Sequence, residues 1–182
     1  MSTVKDSLVN IFGGCKNARC GCTIKHPFED YQDAVLRIFD EGGESTQPVR
    51  VVSEEQSYQL TVNNPANKTI TLGKLDKCLF TDEVSKCDCL VTDNEQLFLV
   101  EIKTASSGKF GKRIKRALEQ LEITIELMRD KGFPDNNYKT NAVISLKPHR
   151  TEIIQAAEKT AFYNFYDKTR IRVKKDNTID FT

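Results

Sequence analysis

Charge of one sign is what this chain lacks. Its 27 lysines and arginines almost cancel 26 aspartates and glutamates, leaving a net charge of +1. No global field therefore draws nucleic acid to it, and any such binding has to come from a local basic patch. Long hydrophobic runs are missing too. No apolar stretch approaches the roughly 20 residues that span a bilayer, so no membrane partner is expected. The opening MSTVKDSLVNIFGG has one short apolar piece and no secretory pattern, which makes a cytoplasmic, reducing setting the expectation. Histidine is scarce, with only His26 and His149. His149, in Lys147-Pro148-His149-Arg150, reads as a loop residue. No Ser/His/Asp order and no Gly-rich phosphate-cradling motif occurs, so triad acyl transfer and P-loop chemistry have no support.

What is present fits one soluble globular domain over residues 1–182, with 38% hydrophobic and 29% charged residues. Six cysteines fall in two groups, Cys15, Cys20, Cys22 and Cys78, Cys87, Cys89. Without a secretory signal, disulfides are a weak reading of the even count. Cys87 and Cys89 flank Asp88 and read as small core residues on the opposite face of its strand. Cys15, Cys20, Cys22 and His26 offer four soft ligands in a short loop, a set that could hold zinc. Their C-x4-C-x-C-x3-H spacing is not a common zinc-finger one. The plainer reading of residues 1–27 is a reduced Cys-rich arm without clear periodicity.

From Phe28 to Phe39, apolar residues recur at three and four positions, and Glu29, Asp30 and Asp33 crowd the first turns. That pattern predicts a helix ended by Gly42-Gly43. Short β-branched segments follow at 49–53, 58–62 and 69–72, with 75–80 a candidate extension of the last. A hairpin over Lys86–Lys103 comes next, then a Gly/Ser loop. A long helix at about 112–129 carries Ile114, Ala117, Leu118, Leu121, Ile125 and Met128 on one face. A buried strand at 140–146, a helix at 151–161 capped by Thr151, and a hairpin of strands 170–174 and 178–181 turning at Asp176-Asn177 complete the chain. This order predicts an α/β fold, a mixed central sheet flanked by helices.

The hairpin KCDCLVTDNEQLFLVEIK carries the chemistry. Asp88, Glu101 and Lys103 interrupt strands whose other residues want burial, and burying an unpaired charge costs several kcal/mol or more. With the turn centred between Asn94 and Glu95, Asp88 faces Glu101 and Lys86 faces Lys103. Facing side chains lie about 5 Å apart at Cβ, where two carboxylates repel unless a cation or a shared proton intervenes. Magnesium, a hard cation with oxygen ligands, suits that need. Alternation places Leu99, Glu101 and Lys103 on one face and Phe98, Val100 and Ile102 on the other. The plain alternative is a solvated surface salt bridge of Glu101 with Lys86 or Lys103.

Two neighbours favour the first reading. Lys109, Lys112, Arg113, Lys115 and Arg116 form a basic run after the Ser/Gly loop, suited to phosphate contact. Cations at a helix N-terminus oppose the macrodipole, so the run gains from an anionic partner. Arg113, Gln120 and Thr124 form a polar flank beside the apolar stripe of the same helix.

Asp88, then Glu101-Ile102-Lys103 on the next strand, then Gln120 in the following helix, resemble the PD-(D/E)xK nuclease superfamily over about residues 28–146. QLFLVEIKT with ALEQLEITIELM is similar to small bacterial members. The resemblance implies a restriction-endonuclease-like αβββαβ core at 28–146, followed by a C-terminal helix and short strands at 147–182. It implies that Asp88 and Glu101 bind magnesium or manganese and that Lys103 positions or activates the attacking water. Glu29, with Asp33 second, would be the acidic residue on the first helix that completes the metal site. Gln120 would match the helix glutamine of the RecB-like and Holliday-junction-resolvase-like branches. Cys87 stands where many members have proline, and Thr124 where the RecB-like branch has tyrosine. The expected function is metal-dependent phosphodiester hydrolysis of nucleic acid, DNA favoured over RNA, with a homodimer or partner subunit as a family habit. Two other readings stand beside it. One is a non-catalytic accessory or immunity-type binding protein on the same fold. The other is a zinc-knuckle nucleic-acid binder that uses the N-terminal cluster.

Overall fold

The computed structural model of the chain describes residues 3–13, 27–42, 45–80, 85–104, 110–133, 138–147 and 156–182. Over these residues it is a mixed α/β fold with two sheets. The expected zinc set (Cys15, Cys20, Cys22 and His26), the basic Lys109, the loop residue His149 and the cap Thr151 lie outside the described residues.

The chain enters through α1 (Val4–Phe12), a helix within the expected Cys-rich arm. Thr3 and Asp6 cap it reciprocally: Asp6 N–H donates to Thr3 Oγ1 at 3.0 Å, and Thr3 N–H donates to Asp6 Oδ2 at 3.1 Å. Val4, Leu8 and Phe12 are buried at four-residue spacing. Three buried positions in nine residues are too few to stand out as periodicity, and packing against the rest of the core secures so short a helix.

The helix expected over 28–39 is instead two strands, β1 (Phe28–Tyr31) and β2 (Val35–Phe39). The helical spacing was real, but strand pairing overrides it. Leu36 and Ile38 are buried, Arg37 between them is half-exposed, and Val35 is 40% exposed. That is period-2 burial, and the aromatic and β-branched content suits it. Glu29 and Asp33 therefore never share a helix turn.

β3 (Arg50–Val51), β4 (Leu60–Asn63) and β5 (Ile70–Lys74) fall within a residue or two of the expected strands. Residues 75–80 form no strand beyond an isolated bridge between Asp76 and Phe80. β6 (Cys89–Thr92) and β7 (Gln96–Thr104) are the hairpin, and Asn94 takes the positive φ of 72° that its turn demands. α2 (Phe110–Asp130), β8 (Lys139–Lys147), α3 (Ala156–Thr169), β9 (Arg172–Lys175) and β10 (Thr178–Asp180) follow.

The larger sheet runs β1-β5-β6-β7-β8-β9 and the smaller one β10-β4-β2-β3. β1, β5, β6 and β7 are antiparallel neighbours, while β7, β8 and β9 are parallel. The expected terminal hairpin does not form, because β9 pairs with β8 and β10 pairs with β4 in the other sheet. Asn177 causes the divergence. Its carboxamide accepts from Leu146 N–H at 2.9 Å and donates to Leu146 C=O at 2.6 Å. Its own carbonyl accepts from Thr61 N–H at 2.9 Å, so the chain crosses from one sheet to the other at this residue.

The core has two parts, one on each face of the larger sheet. Leu97 and Leu99 of β7 pack with α1, α2 and α3. Phe98, Val100 and Ile102 pack with the smaller sheet. A strand buried on both faces explains the nearly continuous apolar run of QLFLVEIK. At Gly73 of β5, a Cβ would lie 2.7 Å from Leu90 Cγ and 2.9 Å from Phe28 Cε1. Gly73→Ala is therefore expected to cost about 1–3 kcal/mol through overpacking. An unchanged denaturant midpoint for the variant would contradict this.

Candidate functional site

Alternation decides which side of β7 its charges occupy. Leu97 and Leu99 face α2, so Glu101 and Lys103 follow on that face. The observed hairpin register pairs Cys89 with Val100, Leu90 with Leu99 and Val91 with Phe98, the constant sum expected from the sequence. Asp88 sits one residue ahead of this ladder, opposite Glu101. It is not free to swing, because its Oδ2 accepts from Ile102 N–H at 2.6 Å. Its carbonyl accepts from Leu75 N–H at 3.1 Å and Asp76 N–H at 3.3 Å.

That irregular junction also corrects the cysteine reading. Cys87 and Cys89 are buried free thiols, as expected for core residues, and Cys78 is a third. Cys87, however, packs with the α2-side cluster and Cys89 with the other, so they do not share a face. Strict alternation stops at Asp88, where the backbone serves residues 75–76 instead of continuing the ladder.

Glu101 is 0% exposed. Its Oε1 is engaged by Lys103 Nζ, and among the described residues nothing hydrogen-bonds its Oε2. Lys103 Nζ also donates to Gln120 Oε1 at 2.8 Å. Gln120 is buried on α2 and spends its amide on the segment before β6, donating to Ser85 Oγ at 2.8 Å and Lys86 C=O at 2.9 Å. One turn on, Thr124 Oγ1 accepts from Cys87 N–H at 2.9 Å. The flank read as Arg113, Gln120 and Thr124 thus splits by role. Gln120 and Thr124 staple α2 to the segment that carries Asp88 into β6, and Arg113 lines a cleft.

The cleft, of about 500 Å³, lies where β7 ends and α2 begins, lined by Asp88, Lys103, Gln120, Arg113 and Arg116 among others. Asp40 and Asp76, neither expected from the sequence, line it too. Asp40 follows β2, and its backbone is clamped by the Gln59 carboxamide, which accepts from Asp40 N–H at 3.0 Å and donates to Asp40 C=O at 2.7 Å. Its Oδ1 lies 3.7 Å from Lys77 Nζ, whose residue holds a positive φ of 63°. Asp76 carried a legible signal, a charge inside Leu75–Phe80, the same anomaly that marks Asp88. Asp40 carried none, since the smaller sheet alone brings it here.

Glu29 is not among the lining residues. On β1 it is ion-paired with Lys74 and accepts from Tyr31 OH at 2.6 Å. Of the basic run, Arg113 and Arg116 reach the cleft, spaced three apart on α2. Lys115 sits on the exposed face near Glu119 at 3.9 Å, and Lys112 is exposed outside the cleft. Lys86, a solvated partner of Glu101 only in the plain alternative, is 2% exposed, with its ammonium 5.6 Å from the Phe80 ring centre.

The electrostatics follow from crowding acids without water. Burial first, then the Asp40 charge, pushes Asp88 up to about 7, with Ile102 N–H and Lys103 pulling the other way. Burial and then Asp88 drive Glu101 well above the usual carboxylate range, against the pull of Lys103. Burial also raises Asp76. Among the described residues, no group of three or more His, Cys, Asp and Glu side chains is arranged to hold a metal ion. Magnesium, a hard cation that keeps most of its waters, needs only one or two carboxylates plus a substrate phosphate. The unpartnered Oε2 of Glu101 is the atom that such a cation would satisfy. In comparisons with known proteins, no family model, curated protein or solved structure matches the chain.

Proposed function

We propose that the chain is a divalent-cation-dependent nuclease of the PD-(D/E)xK kind, with its active site where Asp88 and Lys103 line the cleft and Glu101 lies buried beneath them. The observation that carries this reading is Glu101: fully buried, one oxygen on Lys103, the other without a hydrogen-bond partner among the described residues, and beside a second buried carboxylate. A fold does not keep such an arrangement for stability, because an unsatisfied buried acid is a cost. The expected first helix at 28–39 is absent, so an αβββαβ core would have to take α1 as its first helix, with β1–β4 inserted before antiparallel β5-β6-β7, α2 and β8 parallel to β7.

Asp88 and Glu101 would hold magnesium or manganese, which supplies an acidified water and neutralises charge on the phosphate. Gln120 and Glu101 fix the Lys103 ammonium, a compact charge placed to orient the nucleophile or to stabilise the charge that develops on phosphate oxygens. Arg113 and Arg116 grip the substrate backbone from the α2 wall. Asp40 and Asp76 are further acids at the rim that could share a second cation. A cleavage screen over single- and double-stranded DNA and RNA with magnesium and manganese tests the reading. Activity is expected in the wild type and about a hundredfold less in Lys103→Ala. Equal cutting by both proteins would show that the site is misassigned.

One observation favours a non-catalytic binding protein on the same fold: Lys103 already neutralises one Glu101 oxygen within the chain. Titration calorimetry separates the two readings. Magnesium heats that vanish in Asp88→Asn support the nuclease, and their absence in the wild type supports the binding protein.

A further inference from the structure

A second concavity lies at the opposite end of β7. It holds about 370 Å³ and is lined by Gln96, Phe98, Lys139, Asn141, Arg172, Val173 and Lys174. Pairing sets Gln96 beside Lys139 and puts Phe98, Asn141 and Arg172 in one row across three strands. Every charged side chain in this lining is a cation, in a protein whose net charge is only +1.

Edge protection is the ordinary explanation for such residues. β9 ends the sheet, and lysines on an edge strand deter pairing with another chain. That accounts for Lys175, which lies 3.3 Å from Glu158, and partly for Lys174, which lies 3.1 Å from Asp176. It does not account for a hollow whose floor and far wall come from β7 and β8. Arg172 and Lys139 are exposed, and no ion pair holds either of them among the described residues. Gln96 and Asn141 add carboxamides, the groups that match the donors and acceptors of base edges. The volume is in the small-ligand range, enough for a nucleotide or two of one strand and too little for a duplex.

We propose that this concavity binds a single nucleic-acid strand, its phosphates on Lys139, Arg172 and Lys174 and its base or sugar edges on Gln96 and Asn141. The choice of nucleic acid as bearer of the phosphates rests on the nuclease reading; the anion site does not. It is separate from the acidic cleft, since residues 96–98 and 103–104 of β7 lie on the order of 20 Å apart along the strand.

The test is fluorescence anisotropy of a labelled single-stranded oligonucleotide on the full chain, in EDTA so that no cleavage intervenes, across a salt series. Lys139→Glu/Arg172→Glu is expected to weaken binding tenfold or more and to reduce the salt slope by about 1.4, two phosphate contacts at roughly 0.7 each. Lys139→Gln/Arg172→Gln, which introduces no new charge, should shift both in the same direction. Lys131→Glu, at an exposed lysine outside both concavities, should leave affinity and slope unchanged. Unchanged affinity and slope in both Lys139/Arg172 variants overturn the proposal, as does no binding by the wild type. Displacement of the oligonucleotide by AMP at matched nucleotide concentration also overturns it, because a free nucleotide is then sufficient. If no metal supports cleavage but the Lys139/Arg172 variants lose binding, the nuclease reading falls and this site stands.

Discussion

Glu101→Gln is expected to abolish metal-dependent cleavage, by about a thousandfold, while making the metal-free fold more stable by about 1–2 kcal/mol at pH 8. The two effects share a cause. Glu101 is wholly buried, faces Asp88, and has one oxygen without a hydrogen bond among the described residues. Ionised, it suffers desolvation and like-charge repulsion that Lys103 only partly offsets. Glutamine keeps the shape and a carbonyl for Lys103, removes the charge, and presents an amide that Asp88 can accept from. What it lacks is a carboxylate for a cation. Thermal unfolding in EDTA with a parallel cleavage assay reads both. A variant that cuts like the wild type sinks the proposed chemistry. A variant with lower stability and lost cleavage would mean that Glu101 is there to hold Lys103 and the fold.

The second large effect is on pH. Asp88 ionises near 3.8 in the unfolded chain and at about 7 in the folded one. Between those values the folded state holds a proton that the unfolded state has released. The stability from this group is therefore full below the unfolded value and is lost as pH rises through about 7. The metal-free protein is expected to lose on the order of 4 kcal/mol between pH 4 and pH 8 from Asp88. Glu101 and Asp76, also raised, push in the same direction. Magnesium should oppose the loss at pH 8, since a ligand that binds only the folded form adds RT ln(1 + [L]/Kd). Urea unfolding at pH 5 and pH 8, with EDTA or with magnesium, makes the comparison. Asp88→Asn should flatten the metal-free profile. A wild-type profile that rises toward pH 8 without metal would mean that the acids are better solvated than the cleft implies.

The hairpin was legible because its information is local. Register follows from one turn, side-chain direction from alternation, and Asp88, Glu101 and Lys103 stand out as charges in apolar surroundings. Gln120 was legible as a position on α2, and its bonds to Lys103, Ser85 and Lys86 emerge only in three dimensions. The 28–39 segment misled because aromatic and β-branched residues at three- and four-residue intervals satisfy both periods. Partners far along the chain broke the tie: β5 for β1, β3 and β4 for β2. The smaller sheet was invisible for the same reason, and Asp40 came with it, while Glu29 left the site with β1 at the edge of the larger sheet.

The sequence by itself determined the facing of Asp88 and Glu101, the side on which Lys103 lies, the long helix carrying Gln120, and the mixed α/β class. Each rests on spacing within one strand pair or one helix, where backbone geometry leaves few choices. Only the tertiary structure decided which other acids approach that pair, which of the basic residues reach the cleft, and that Glu101 is left with a buried oxygen unpartnered among the described residues. Those are contacts between elements far apart in the chain. They depend on which strands pair across two sheets, and no local period records that choice.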